Sequence, residues 1–397
     1  MIIHLFNSSS VSGPERLVLP ALASARESFL IMNLKEGRID RLRESDPLET
    51  YARSLNLRYV SVPVRGRWDR EAIGELQRQL ATLKPDLVHA HAIKASIYLV
   101  QAKRGDGQLH FPIVSTHHGV HGLPDMKVRL YEWIYRRRYL KFFDRVLCVS
   151  SADYNDVLHS GIRPDRLQLH LNGVGGRRVD CGQRPAESRR IRVLWMPQDA
   201  GRDRLFLFGV VGRLSREKDH DRLLRILICL NRLSCERPWN CLIFGAGALE
   251  PKLRRQAIQG GLQEKVVWMG YRKEVADELA GLDLLLSFSK AEGLPLNLIE
   301  AGWAGTPVMA TTVGGVADLI LDASYGQEVA PFETVEASAR RLKTLVSEEG
   351  RQTLGAQGER FQERVLKEFT QEKWIQRLAE IYAELNVTFG NTYESGI

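Results

Sequence analysis

Two carboxylates, Glu292 and Glu300, stand eight positions apart within the stretch Asp283 to Ile320, and Gly293, Leu294 and Pro295 follow the first of them. The stretch reads as a buried strand (Leu284 to Phe288), a polar loop, a helix, a second strand (Thr306 to Ala310) and a Gly-Gly loop. Proline is tolerated in the first turn of a helix, because the N–H groups there lack intrahelical partners, so Pro295 is expected in that turn. The loop before it then aims free N–H groups and the positive end of a dipole outward, chemistry that suits a phosphate or an anionic sugar group. Glu292 in the loop and Glu300 on the helix would line one ligand at different depths. The plain alternative is a carboxylate pair on a solvated helix.

A second constellation lies upstream. Phe208 to Lys218 reads FGVVGRLSREK, which places Arg213 and Lys218 at the carboxyl end of a strand. Two cations there neutralise a diphosphate and stabilise it as it leaves. Cations at a helix start oppose the dipole, so the placement needs a compensating anion. Phe244-Gly245-Ala246-Gly247 also follows a strand, but Glu250 occupies the sixth position where a small residue must pack helix on strand. The dinucleotide fingerprint therefore fails there, and a plain tight turn is an equal reading. Ser12-Gly13-Pro14-Glu15 opens a helix after the first strand; its glycine lets backbone approach a phosphate, and the alternative is an ordinary helix start. Thr116-His117-His118-Gly119 ends another strand. Neighbouring histidines on an extended chain point in opposite directions and make a poor pair of metal ligands.

The compound string EGLPLNLIEAGWAGTPV, followed by Gly314-Gly315, resembles the E-x7-E signature of glycosyltransferase family 4, and the resemblance runs from Gly13 through Asp318. It implies an α/β chain of the GT-B fold, with two Rossmann-like doubly wound domains facing each other across a cleft. It also implies a retaining, metal-independent hexosyl transfer from a nucleotide-diphosphate sugar, which is a co-substrate; no cofactor is expected. Carried over residue by residue, Glu300 would hold the ribose hydroxyls and Glu292 the sugar. In the donor-binding loop Gly293, Leu294 and Leu296 would offer backbone N–H groups, with Pro295, which has none, shaping the turn, and Arg213 and Lys218 would stabilise the diphosphate. Gly245 and Gly247 would lie near the nucleotide, Gly13 near a phosphate, and His118 near the transferred sugar. His89 and His91, in PDLVHAH, also match a family string and are read as structural. Three positions depart from the pattern: Asp219 stands where the family often has Gly, Ser12 replaces one of two glycines, and Asp318 replaces a Glu.

Bulk properties agree with such a protein. A chain of 397 residues, 44% hydrophobic and 26% charged, is expected to form two or three domains. No apolar run approaches the length of a bilayer-spanning helix, and MIIHLFNSSS lacks a basic region, so it reads as a first strand and not a signal peptide. Five cysteines, odd in number and without a C-x-x-C pair, point to unpaired thiols in a reducing compartment and to no zinc site. A formal charge of +8 favours phosphate-bearing partners. No zinc finger, RNP-type motif or helix-turn-helix is present, so nucleic acid is not expected.

The elements that must position these residues alternate regularly. Strands are expected at Ile2 to Phe6, Ser28 to Asn33, Leu57 to Val62, Asp86 to Ala90, Pro112 to Thr116 and Arg145 to Val149. After the Arg-rich stretch that follows Asn172 they resume at Phe206 to Val211, Cys241 to Phe244, Val266 to Trp268, Leu284 to Phe288 and Pro307 to Ala310. Alternation with helices means two parallel sheets. The expected domains are 1–180 on the acceptor side, a linker at 181–204, and 205–369 binding the nucleotide sugar. A last helix within 370–397 returns to the first domain, as the resemblance implies.

The segment Lys127 to Arg145 is distinctive, with seven Lys/Arg against two acidic residues. Val128, Tyr131, Tyr135, Tyr139 and Phe142 fall on one face of a regular helix, with Arg136, Arg137, Arg138 and Lys141 largely elsewhere. Such a helix suits an anionic bilayer surface through Tyr131 to Lys141; equally, the aromatic face packs on the sheet and the arginines are a solvated fringe. The expectation is a cytoplasmic transferase, peripheral at the inner face of a bacterial membrane, that builds a surface polysaccharide on a glycan or lipid-linked acceptor. The rivals are a nucleotide-sugar epimerase of the same architecture and a catalytically silent nucleotide-sugar-binding module.

Overall fold

The structure is a computed structural model that describes residues 1–25, 29–37, 46–66, 68–105, 107, 109–119, 126–180, 189, 192, 205–272 and 275–388, with backbone alone at 126–129. The chain divides into two compact units, Met1–Gly173 with Gln371–Ile397, and Val174–Thr370.

The first unit is built on strands β1 (Ile2–Phe6), β2 (Phe29–Glu36), β3 (Arg58–Val64), β4 (Leu87–His91), β5 (Ile113–His117), β6 (Arg145–Cys148) and β7 (Leu167–Leu169). Among the described residues they form one parallel sheet in the order β3-β2-β1-β4-β5-β6-β7. Successive side chains of a strand point to opposite faces. Ile3, Leu5, Val88 and Ala90 accordingly enter one core, which helices Arg70–Leu83 and Ile93–Gly105 complete through Leu76, Leu80, Ile97 and Val100. His4, His89 and His91 alternate with those residues, and His4 lies directly opposite His89 in the β1–β4 register. Helix Gln371–Ala383 closes over them, with Tyr382 Oη 2.6 Å from His89 Nδ1 and the Trp374 ring tilted against His170 at 4.9 Å between centroids.

The second unit repeats the plan with β8 (Phe206–Val211), β9 (Trp239–Phe244), β10 (Val266–Gly270), β11 (Leu284–Ser287), β12 (Val308–Thr311) and β13 (Gln327–Val329), in the order β10-β9-β8-β11-β12-β13. Phe206, Phe208, Ile243, Leu284 and Met309 share a core with Leu223, Leu227 and Leu342 from the helices. Both orders reverse beside the first strand, the arrangement of a doubly wound Rossmann sheet. Its ligand position lies beyond the carboxyl ends of the strands at that reversal, here β1/β4 and β8/β11.

Two expectations about these elements need correction. The first unit ends at Gly173, seven residues before the expected 180. Val174 N–H donates to Phe369 O at 3.1 Å, Trp303 Nε1 donates to Val174 O at 2.9 Å, and Gln362 holds Val179 O, so this polar stretch belongs to the second unit. The linker at 181–204 lies outside the described residues apart from Arg189 and Arg192; Ser28, the expected start of β2, does too. The edge strands β7 and β13 were not expected, since each is only three residues long.

The basic segment is also not a regular helix. An α-helix Met126–Ile134 passes into a π-turn Tyr135–Tyr139 and a 3-10 turn Leu140–Phe142. Tyr135 is buried, its hydroxyl 2.9 Å from Ser115 Oγ, and Tyr131 and Tyr139 pack against the core. The tyrosine face therefore takes the packed reading. The wide turn shifts the phase that follows it, and Phe142 leaves that face to stand exposed with Leu130 and Trp133. Arg136 is not part of a solvated fringe; it is half-buried against Glu132 and 3.8 Å from Asp156.

Candidate active site

Loops at the reversal of the second sheet carry most of the residues singled out by the sequence. After β8 the chain runs through Gly212, Arg213 and Leu214 to Lys218, and after β11 it runs through Ser289 to Pro295. Because β8 and β11 are hydrogen-bonded neighbours, these loops meet. Lys218 Nζ lies 2.6 Å from Glu292 Oε1, and Ser289 Oγ donates to the same oxygen at 2.6 Å. The lysine and glutamate side chains are only 19% and 8% exposed, so this ion pair is weakly screened. Glu292 is the anion that the placement of Lys218 requires. Arg213 differs: its guanidinium is 70% exposed and 3.3 Å from Glu217 Oε1, a surface pair that holds it loosely.

Close backbone contacts lock the loops. Gly212 N–H donates to Phe244 O and Leu214 N–H to Ala246 O, both at 3.0 Å, which joins the β8 loop to the Gly245–Gly247 loop. A Cβ on Gly245 would stand 1.9 Å from Gly212 O, so close approach of two loops explains this glycine without a nucleotide. Gly247 lies in the same joined loop. Gly314, at φ +54°, presses against Glu292 O, where a Cβ would come within 1.8 Å, and Gly315 N–H donates to Gly293 O at 2.6 Å. The Gly-Gly loop after β12 thus backs the Glu292–Gly293 segment.

Helix Leu296–Trp303 begins one residue later than expected. Pro295 sits at its N-cap with φ −73° and ψ 115°, not in its first turn. Leu294 is buried, while Gly293 and Leu296 are half-buried. Glu300 lies in the second turn and is half-buried. Asn297, which the sequence reading passed over, donates from Nδ2 to Val211 O at 2.8 Å and so ties this helix to the end of β8. Ser289 was passed over as well. The available signal for both was a polar side chain inside an otherwise apolar strand–loop–helix string.

Asp219 has a conformational reason. It is left-handed (φ 46°, ψ 43°), the backbone that glycine adopts freely and aspartate tolerates. Its carboxylate is held by Lys290 Nζ at 2.9 Å. Asp219 and Asp221 are spaced as Asp-x-Asp, but Asp221 is itself paired with Arg225 at 3.0 Å, so the two do not stand as a free metal-binding pair. Asp219→Gly is expected to keep the unfolding midpoint nearly unchanged, while Asp219→Ala lowers stability by about 1–2 kcal/mol; urea denaturation of the two variants measures the difference.

In the first unit the chemistry-bearing residues gather at the β1/β4 reversal. His4 Nδ1 is 2.9 Å from His91 Nε2, and His91 Nδ1 is 3.4 Å from His118 Nε2. His117 turns the other way and stacks on Tyr135, as two neighbours on a strand must. His4, His89 and His91 bring nitrogens within 4.8 Å of one another. Yet His89 is already bonded through Nδ1 to Tyr382 and through Nε2 to Thr116 Oγ1 at 2.7 Å, and His4 and His91 share one bond. These lone pairs do not converge on a cation, and the cluster is a hydrogen-bond network.

Burial pushes His4 down to about 3 and His118 and His170 to about 4, and holds His89 and His91 well below the ordinary value, so the rings are neutral near pH 7. A neutral imidazole has one donor and one acceptor. His4 Nε2 is buried without a hydrogen-bond partner among the described residues, and an orphaned acceptor is better tolerated than an orphaned N–H. His4 therefore donates to His91, His91 donates to His118, and His118 keeps its own proton on Nδ1.

Gly13 is the first residue of helix Gly13–Ser24. Glu15 Oε2 accepts from Ser12 N–H at 2.8 Å and from Ser12 Oγ at 2.7 Å, so the anion at this helix start is the protein's own carboxylate. The structure favours the ordinary helix start over a phosphate position here.

Residues 39–175 match the family described as Glycosyltransferase Family 4, and residues 195–363 match that described as Glycosyl transferases group 1. The chain belongs to glycosyltransferase family 4. This family 4 chain is 29% identical over 121 residues to the lipopolysaccharide core biosynthesis mannosyltransferase LpsB of Rhizobium meliloti, covering 29% of the chain and 34% of that protein. It is 24% identical over 257 residues to the lipopolysaccharide 1,6-galactosyltransferase of Salmonella typhimurium, covering 64% of the chain and 63% of that protein. The chain thus spans about a third and just under two thirds of these curated relatives. Among solved structures, Anabaena HepE in complex with UDP-glucose superimposes with a TM-score of 0.78 at 18% identity, over 96% of this chain and 99% of that one, which establishes the GT-B fold.

Proposed function

We propose that the chain transfers a hexosyl group, with retention, from a nucleotide-diphosphate sugar to a glycan or lipid-linked acceptor during synthesis of a bacterial surface polysaccharide. The observation that carries this reading is the Lys218–Glu292 pair with Arg213 beside it at the β8/β11 reversal. In the proposed mechanism Arg213 swings from Glu217 onto the diphosphate, and Lys218 exchanges Glu292 for a phosphate oxygen. That exchange frees Glu292 to accept a sugar hydroxyl while charge builds on the leaving group. Glu300 accepts from the ribose hydroxyls, and the N–H groups of Gly293, Leu294 and Leu296 face the donor. These cations supply the electrostatic stabilisation, so the reaction needs no divalent ion.

The curated relatives are named for lipopolysaccharide, and both are transferases, which favours transfer over the epimerase reading. Unpaired thiols and a soluble nucleotide donor suit a cytoplasmic setting. Among the described residues no helix is long and apolar enough to cross a membrane; the exposed Leu130, Trp133 and Phe142, with Arg137, Arg138 and Lys141 around them, suit reversible contact with an anionic surface.

The test is a thermal-shift titration against UDP-, GDP- and ADP-sugars and the free diphosphates, with EDTA present, followed by product analysis with and without acceptor. A ligand that binds only the folded chain raises its melting temperature. Glu300→Gln is expected to weaken both free diphosphate and sugar nucleotide by about 1.5–3 kcal/mol, and EDTA to leave turnover unchanged. An epimerised donor formed without acceptor, or activity lost to EDTA and restored by a divalent ion, would overturn the mechanism.

A further inference from the structure

A groove of about 790 Å³ runs along the first unit, between helices Arg70–Leu83 and Ile93–Gly105 on one side and the segment Trp133–Phe142 on the other. Arg70, Arg104 and Arg138 reach into it, Trp133, Tyr139 and Phe142 form its apolar wall, and the described residues that line it include no carboxylate. Arg136, by contrast, is taken up by Glu132 and Asp156. Three guanidinium groups in one concave wall repel one another until an anion enters, and guanidinium geometry matches phosphate oxygens. Arg104 is held at the groove by a cation–π contact, its Cζ 4.7 Å from the Phe142 ring centroid.

The rim of the groove selects the kind of phosphate. Trp133 is 55% exposed and Leu130, three residues before it on the same helix, is 57% exposed. Arg137 lies 5.8 Å from the Trp133 ring and Lys141 5.4 Å from the Phe142 ring. Exposed aromatic residues fringed by cations settle at the headgroup level of a bilayer. An exposed leucine gains nothing from a sugar or a free nucleotide, whereas the acyl boundary buries it. We propose that this groove seats the phosphate headgroup of an anionic membrane lipid, with Leu130, Trp133 and Phe142 entering the acyl boundary. The proposal rests on the membrane contact proposed above and assigns it a built site, which Tyr139 of the packed tyrosine face borders.

The experiment is co-sedimentation of the full chain with phosphatidylcholine vesicles, with or without phosphatidylglycerol, across a salt series. Arg104→Ser/Arg138→Ser is compared with Arg232→Ser/Arg255→Ser, an equal charge change on the other unit. The wild type is expected to sediment only with anionic vesicles. The groove variant should lose about thirtyfold in partition, as expected for two cations removed from an anionic surface, and the control should stay close to wild type. Trp133→Phe should abolish the fluorescence quenching that brominated acyl chains produce. Equal losses in the two double variants would reduce the effect to net charge and overturn the groove. Release by inorganic phosphate at constant ionic strength would make it a free-phosphate site and overturn the lipid assignment. Absence of wild-type sedimentation at low salt would end the membrane contact and the groove together. Transfer to a soluble acceptor, measured on the same variants, tests the transferase reading separately and is expected to be unchanged.

Discussion

Lys218→Met is expected to lower kcat/KM for sugar transfer by about 10²–10³-fold, the scale on which one preorganised charge-stabilising group acts. Glu292→Gln is expected to produce a loss of the same order. The double variant should lose far less than the product of the two. Lys218 and Glu292 share one contact at 2.6 Å, so each single change also leaves its partner without its counter-charge. Groups that act as a unit give non-additive losses. Ser289 remains bonded to Glu292 in the lysine variant, so a folded protein is expected, and far-ultraviolet circular dichroism alongside the kinetics separates lost chemistry from lost structure. Losses that multiply would mean that the two side chains work independently and that the resting ion pair plays no part in turnover. Wild-type activity in Lys218→Met would remove the diphosphate assignment altogether.

The second large effect is on stability below neutral pH. His4, His89, His91, His118 and His170 all belong to the first unit, and desolvation lowers the pKa of each in the folded state. The unfolded chain takes up these protons near pH 6.5, whereas the folded unit resists them until about pH 3–4. The unfolded state therefore binds more protons throughout that window, and stability falls as pH drops below about 6.5. One such histidine is worth about 2 kcal/mol between pH 7 and pH 5. Several together approach the whole stability of an ordinary domain. Urea midpoints at pH 7.5, 6.5 and 5.5 are expected to fall steeply, and His4→Phe, which removes one of the protons, should flatten the slope by about one proton. A midpoint that stays level down to pH 5 would mean that water or a counter-charge reaches these rings.

Much of this protein was legible in its sequence, for a local reason. Strand periodicity, the turns that follow each strand and the string from Glu292 to Gly315 are encoded within a few residues of one another. The placement of Arg213, Lys218, Glu292 and Gly245 at strand ends followed from that pattern, and so did the two Rossmann sheets. Tertiary structure decided what depends on partners far apart in the chain. Lys218 and Glu292 are separated by 74 positions, and only the adjacency of β8 and β11 joins them. His4 and His91 are 87 apart, and the register of β1 on β4 sets their rings on one face. The unit boundary moved to Gly173 because Val174 and Val179 found backbone partners at Phe369 and Trp303. Around Tyr135 local periodicity misled: packing of its hydroxyl on Ser115 accompanies a wide turn that no 3.6-residue repeat contains, and that turn carried Phe142 from the buried face to the surface.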